Sequence, residues 1–83
     1  MSDTVTMYST PWCGYCHRLK GQMDREGILY EVVDIEQHPE AAEVVERVNH
    51  GNHTVPTVVF ADGSAQTNPS IAQIKEKLAS LAA

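Results

Sequence analysis

Cys13 and Cys16 stand in the run Pro-Trp-Cys-Gly-Tyr-Cys-His, residues 11–17, and no other cysteine occurs in the chain. Thiols spaced Cys-x-x-Cys can close into a disulfide and reopen, which makes the pair a two-electron redox group. With His17 the same residues spell Cys-x-x-Cys-His, the spacing of a covalently attached c-type haem. Such a haem needs a second axial ligand, yet no methionine follows Met23, and only the distant His38, His50 and His53 remain. Covalent haem also belongs to exported proteins, whereas residues 1–11 lack the basic and apolar regions of a secretory signal. The dithiol reading is the stronger one.

Zinc is the other chemistry to weigh, because Cys13 and Cys16 are followed by His50 and His53. The stretch between the pairs is far too long for a small zinc finger, and His-x-x-His is shorter than the usual finger spacing. These histidines read as loop residues near Gly51, and no metal site is expected.

A chain of 83 residues is one domain, residues 1–83, with a small core. Hydrophobic residues make up 42% and charged residues 20%, which suits a globule and argues against general disorder. The net charge is -5, with Glu31, Asp34, Glu36, Glu40, Glu43 and Glu46 close together and no basic stripe. That balance excludes an electrostatic footprint for nucleic acid or an anionic membrane, and the acidic run reads as a solvated face. No apolar run approaches the roughly 18 residues of a membrane span. A cytoplasmic monomer is expected, and reducing conditions there leave little use for a purely structural disulfide.

The elements that must position the thiols follow from periodicity and punctuation. Residues 5–8 form a short β-prone run ended by Ser9, Thr10 and Pro11. From about residue 12 to 26, Cys16, Leu19 and Met23 recur at helical spacing and Gly27 offers a stop. Residues 28–35 suit a second strand. A helix opens with Pro39, carries an apolar stripe of Ala41, Ala42, Val44, Val45 and Val48, and ends at Gly51. A third strand, residues 57–60, turns at Asp62-Gly63 into a short fourth, residues 65–67. Asn68 as N-cap and Pro69 at the first helical position announce a last helix bearing Ile71, Ile74, Leu78 and Leu81. The order β-α-β-α-β-β-α implies an α/β fold whose four-stranded mixed sheet is flanked by three helices.

Cys13 then falls where the first strand meets the first helix. Unsatisfied N–H groups and the positive end of the helix dipole favour a thiolate there, so Cys13 is the expected nucleophile. Cys16, in register with Leu19 and Met23, points toward the core and is expected to be the sheltered partner of an exposed Cys13. Gly14 keeps the backbone open to an incoming disulfide. Trp12 and Tyr15 bracket the sulfur as the aromatic walls of a groove. His17 reads as a solvent-facing helical residue rather than a group aiding the thiolate. A Cys-x-x-Cys beside a β-α-β pattern points to a thioredoxin-like fold. In that fold a cis Val55-Pro56 bond would present the Val55 backbone to a substrate.

The stretches Tyr-Ser-Thr-Pro-Trp-Cys-Gly-Tyr-Cys, Thr-Val-Pro-Thr-Val-Val-Phe-Ala-Asp-Gly-Ser and Thr-Asn-Pro-Ser together resemble the glutaredoxins, and among them the mycoredoxins of bacteria that make mycothiol. The resemblance runs from Val5 to Leu81. It implies the thioredoxin-like glutaredoxin fold, catalytic Cys13 and Cys16, and a thiol-binding groove of Trp12, Gly14, Tyr15, Thr54, Val55, Pro56, Asn68 and Ser70. No lysine precedes Cys13, where glutaredoxins commonly clamp one end of glutathione. Residues 67–70 read Thr-Asn-Pro-Ser, where a Gly-Gly-acid stretch commonly holds the other end. Mycothiol, an acetylated cysteine on a glucosamine–inositol disaccharide, has no carboxylates for such clamps.

The activity so implied is removal of mycothiol from mycothiolated proteins. Cys13 takes the mycothiol as a mixed disulfide, and a second mycothiol, or Cys16, releases it. Mycothiol is then a co-substrate, no bound cofactor is needed, and an NADPH-dependent mycothiol disulfide reductase closes the cycle. Three alternatives stay open at this point: a redoxin fed by thioredoxin reductase that supplies electrons to ribonucleotide reductase, an iron–sulfur-binding glutaredoxin, and a glutathione-specific one.

Overall fold

The computed structural model describes residues 5–82. Residues 1–4, part of the stretch read above for a targeting signal, and Ala83 lie outside the described residues. In chain order the elements are β1 (Val5–Ser9), α1 (Gly14–Arg25), β2 (Tyr30–Asp34), α2 (Pro39–Val48), β3 (Thr57–Val59), β4 (Ala65–Thr67) and α3 (Ile71–Ala82). The sheet order is β2-β1-β3-β4. β1 runs parallel to β2 and antiparallel to β3, and β3 and β4 form a hairpin. This is the mixed, three-helix arrangement that the element order implies.

β1 alternates strictly. Val5, Met7 and Ser9 are buried while Thr6 and Tyr8 are half-buried on the other face. On the first face Val5 and Met7 join Val58 and Phe60, the α1 residues Cys16, Leu19 and Met23, and Ile74 of α3 in the main core. Ile71, Leu78 and Leu81 pack against it from the side. On the second face Tyr8 and Val33 meet Ile35, Ala41 and Val45, so α2 covers that side alone. The central strand is thus sandwiched, and each large apolar side chain removed from water contributes about 1.5–3 kcal/mol. Met23→Ala, at a position with no exposure, would cost about 2–5 kcal/mol.

Helix ends are set by local chemistry. At the end of α1, Gly27 lies at φ 70°, the left-handed region that suits glycine, and Ile28 N–H donates to Met23 O at 3.0 Å. The β3–β4 turn places Gly63 at φ 86°, with Gly63 N–H donating to Phe60 O and Phe60 N–H to Ser64 O, each at 2.9 Å. Asp62 accepts from Ser64 N–H at 3.0 Å and pairs with Lys77 of α3 at 2.9 Å. The Ser64 hydroxyl and the Lys77 ammonium hold the Asp62 carboxyl well below the usual carboxylate range.

Against the sequence reading β1 runs one residue further, to Ser9, β3 ends one residue sooner, at Val59, and α2 ends at Val48, while three elements differ for a physical reason. α1 begins at Gly14 rather than at residue 12, because Cys13 is extended (φ -82°, ψ 106°) and serves as the N-cap. β2 is shorter than residues 28–35, since Ile28 is spent on closing α1 and Ile35 already turns toward α2. α3 begins two residues later than Asn68-Pro69 predicts. Asn68 sits at φ 46° and sends its N–H to Pro56 O at 2.7 Å, so it cannot cap. Ser70 caps instead: Gln73 N–H donates to Ser70 Oγ at 3.1 Å and Ser70 N–H to Gln73 Oε1 at 2.8 Å, a reciprocal capping box.

Candidate active site

The ladder between β1 and β2 ends at the pair Ser9 and Asp34, and Ile35 N–H extends it to Ser9 O at 3.0 Å. Beyond Ser9 the chain turns, with Cys13 N–H donating to Thr10 O at 3.2 Å, and enters α1. This turn carries Trp12 and delivers Cys13 to the helix N-terminus. Cys13 and Cys16 are joined in a disulfide, their Cα atoms 5.2 Å apart. Cys16 N–H donates to Cys13 Sγ at 3.0 Å. That amide is one of the orphan donors of the first helical turn, and it points at the sulfur where a thiolate charge would form.

The expected contrast between an exposed Cys13 and a sheltered Cys16 is corrected here. Cys13 retains 4% of its exposure and Cys16 1%, and both belong to the main core. Capping the helix draws Cys13 into the strand–helix junction. The two sulfurs are therefore distinguished by hydrogen bonding more than by access. What stands exposed are the flanks, Trp12 at 70% and Tyr15 at 65%. A Cβ added at Gly14 would meet nothing within 4 Å, so that side of the dithiol is open.

The residues expected to form one groove divide between two clefts that flank the dithiol. Tyr15, Asn68 and Ser70 line a cleft of about 350 Å³ between α1 and the start of α3, together with Arg18, Gln22 and Gln73. Trp12 lines a second, of about 410 Å³, with Thr10, Ile35, Glu36, Ala42 and His53. Gly14, Thr54, Val55 and Pro56 belong to neither lining, and Pro56, expected in the groove, is instead buried because it leads directly into the buried start of β3. The Val55-Pro56 bond is cis. Among the described residues no hydrogen bond engages the Val55 backbone, whereas Thr54 O accepts from the Thr57 hydroxyl at 2.8 Å.

Three residues around the site, Asn49, Thr10 and Glu36, escape the sequence reading, while His17 is exposed as expected. Asn49 is buried at the end of α2, where its Nδ2 donates to Val45 O and Thr57 Oγ1, each at 3.0 Å, and its Oδ1 accepts from Thr67 Oγ1. Thr10 is 5% exposed, and its hydroxyl has no partner among the described residues. Glu36 accepts from Trp12 Nε1 at 3.0 Å. His17 turns back to the chain, its Nε2 donating to Pro11 O at 3.1 Å, so it braces the turn instead of facing the sulfurs. His53 pairs with Glu46. Among the described residues no three His, Cys, Asp or Glu side chains sit together as a metal site would need.

Comparison with known proteins agrees with this geometry. The glutaredoxin family model matches residues 5–64, from β1 through the β3–β4 turn. The chain is 55% identical over 82 residues to a Mycobacterium tuberculosis protein assigned to the glutaredoxins, covering 99% of this chain and 98% of the other. It is 45% identical over 80 residues to Mycoredoxin 1 of Corynebacterium glutamicum, covering 96% and 99% respectively. The crystal structure of a glutaredoxin from Methanosarcina mazei superposes with a TM-score of 0.78 at 25% identity, over 94% of this chain and 84% of that one. Identity of this extent along nearly the whole of both chains, with the family model spanning the dithiol and three of the four strands, shows that the chain belongs to the glutaredoxin family.

Proposed function

We propose that this glutaredoxin uses mycothiol, reducing mixed disulfides between mycothiol and protein thiols. The observation that carries the reading is the donor set of the Tyr15 cleft: Gln22, Asn68, Ser70 and Gln73 are amides and a hydroxyl, with Arg18 as the cation. The capping box engages the N–H groups of Ser70 and Gln73, and the remaining amides of this helix start can donate to a neutral polar ligand. Amides and hydroxyls suit a sugar, and the 45% identity to a mycoredoxin supports the same ligand.

The proposed steps use both cysteines of the dithiol. In the reduced protein the Cys13 thiolate, stabilised by Cys16 N–H, attacks the mycothiol sulfur of the mixed disulfide. The S–S bond breaks, the protein sulfur leaves as a thiolate and takes a proton, and Cys13 holds mycothiol. A second mycothiol, as thiolate, attacks that disulfide, giving mycothiol disulfide and free Cys13. Mycothiol disulfide is then reduced by a separate NADPH-dependent reductase. Cys16 offers an intramolecular alternative, displacing mycothiol to form the Cys13–Cys16 disulfide. The proposed partners are mycothiolated proteins and mycothiol in a cytoplasmic setting, with no bound cofactor, and the unengaged Val55 backbone is the proposed contact for the substrate chain.

Single-turnover transfer to the reduced protein from two peptides, one carrying mycothiol and one glutathione, tests the reading. A preference of about tenfold or more for the mycothiol adduct is expected. Equal or glutathione-favoured transfer would leave a general glutaredoxin. No transfer from either would favour a donor to ribonucleotide reductase.

A further inference from the structure

Trp12 precedes the nucleophile directly and is 70% exposed, so packing alone does not hold its indole. One polar contact does: Trp12 Nε1 donates to Glu36 Oε2 at 3.0 Å across 24 positions of sequence. We propose that Glu36 is a positioning residue for the redox reaction, fixing the Trp12 indole as the wall beside Cys13 against which an incoming mixed disulfide packs. The inference stands on glutaredoxin chemistry and does not depend on which small thiol is used.

Both ends of the contact are built on a rigid frame. The strand register pairs Ser9 with Asp34, so the turn after β1 and the turn after β2 emerge side by side. Ile35 N–H to Ser9 O ties them together at 3.0 Å. Glu36 N–H donates to Asp34 Oδ1 at 2.8 Å and Gln37 N–H to Asp34 O at 3.2 Å, which fixes the backbone that carries the carboxylate. On the other turn Cys13 N–H to Thr10 O and His17 Nε2 to Pro11 O fix the backbone that carries the indole. Trp12 and Glu36 then form adjoining walls of the 410 Å³ cleft floored by Ile35 and Ala42.

Cys13 itself has almost no exposure, so a substrate meets the aromatic flank before it meets sulfur. An indole free to change rotamer would have to be ordered at each encounter, and an ordered one removes that cost in advance. Releasing it should therefore weaken binding by roughly threefold to tenfold, mostly in KM, with a much smaller change in kcat.

The test uses the full chain with four variants, Glu36→Ala, Glu36→Gln, Trp12→Phe and the double Trp12→Phe/Glu36→Ala. Each is assayed for reduction of one peptide carrying a mycothiol adduct and, separately, a cysteine adduct. Glu36→Ala should raise KM for both adducts, Glu36→Gln should recover most of the loss because its amide oxygen still accepts, and Glu36→Ala should do nothing further once Trp12 is Phe. Trp12 is the only tryptophan, so its single indole N–H resonance reports the contact directly. That resonance should shift and lose protection from exchange in Glu36→Ala and hold in Glu36→Gln. An equal effect of Glu36→Ala with and without Trp12, or an unchanged indole signal and KM, would overturn the proposal. Failure with the mycothiol adduct alone would count against the mycothiol reading and leave the positioning role standing.

Discussion

Removing the Asn49 side chain should loosen the fold and the loop before β3 together. Asn49 is 9% exposed, and its side chain joins α2 to both strands of the hairpin through Val45 O, Thr57 Oγ1 and Thr67 Oγ1. Not every bond counts equally. Val45 O keeps a second donor, Asn49 N–H at 2.9 Å, and Thr67 is exposed enough for water to replace its partner. Thr57 is fully buried, so its hydroxyl has no such recourse, although it still donates to Thr54 O. With about 1 kcal/mol for the one bond that neither water nor a second donor replaces, that to Thr57 Oγ1, Asn49→Ala should cost about 1 kcal/mol. A domain of this length has roughly 4–12 kcal/mol in total, so the loss is about a tenth to a quarter of it. At roughly 4–8 °C per kcal/mol the midpoint should fall by about 4–8 °C, measured by thermal unfolding of the oxidised protein. Asn49→Asp should be worse than Ala, because it loses the donors and places a charge at the same buried site. Because Thr57 also holds Thr54 O, peptide–disulfide reduction should slow in parallel, through KM. A shift below about 0.5 kcal/mol in Asn49→Ala, or a more stable Asp variant, would refute this account of the network.

Cys13→Ser should abolish turnover, whereas Cys16→Ser should retain reduction of a mycothiolated peptide in steady-state assays; equal loss in both would rule out the route that needs only Cys13. Ser70→Ala, which breaks the capping box, should lower stability by about 1 kcal/mol in denaturant titrations, and Asn68→Gly, which keeps the left-handed backbone at that position, should not reproduce that loss. Thr10→Val removes a buried hydroxyl that has no partner, so the oxidised protein should gain about 1 kcal/mol or stay unchanged. Asp62 has a lowered pKa, so its stabilising effect is present above the ordinary Asp value near 3.8 and is lost as pH falls below it. Unfolding midpoints of Asp62→Asn should therefore show a shallower drop than the parent chain as pH is lowered through 4.

Much of this architecture was legible in the sequence because its signals are local. The spacing of Cys16, Leu19 and Met23, the proline opening α2 and the Asp-Gly turn each act within a few residues, and each element appears where those signals put it. The start of α3 shows two local signals in competition. Asn68-Pro69 is a plausible cap and first helical residue, but Ser70 and Gln73 were there as well. The tertiary bond from Asn68 N–H to Pro56 O settled the matter. Cys13 departs from its expected exposure for a related reason. Its position as N-cap was accessible to reasoning, whereas the apolar junction of β1, α1 and α3 that buries it is a property of packing.

Contacts set by strand register were beyond any local signal. Trp12 and Glu36 become neighbours only because β1 and β2 run parallel with Ser9 opposite Asp34, which brings the turns after both strands to the same edge of the sheet. Ligands of open α/β sheets gather at the carboxyl ends of parallel strands for this geometric reason. Here the dithiol turn follows one such end and its anchor follows the other. A slip of one residue would turn Tyr8 and Val33 away from α2 and separate the indole from its carboxylate at once. The same alternation that fixes the second core therefore also fixes the wall beside Cys13. Mutations in that core, such as Val33→Ala or Val45→Ala, should accordingly shift the Trp12 indole resonance before they unfold the chain.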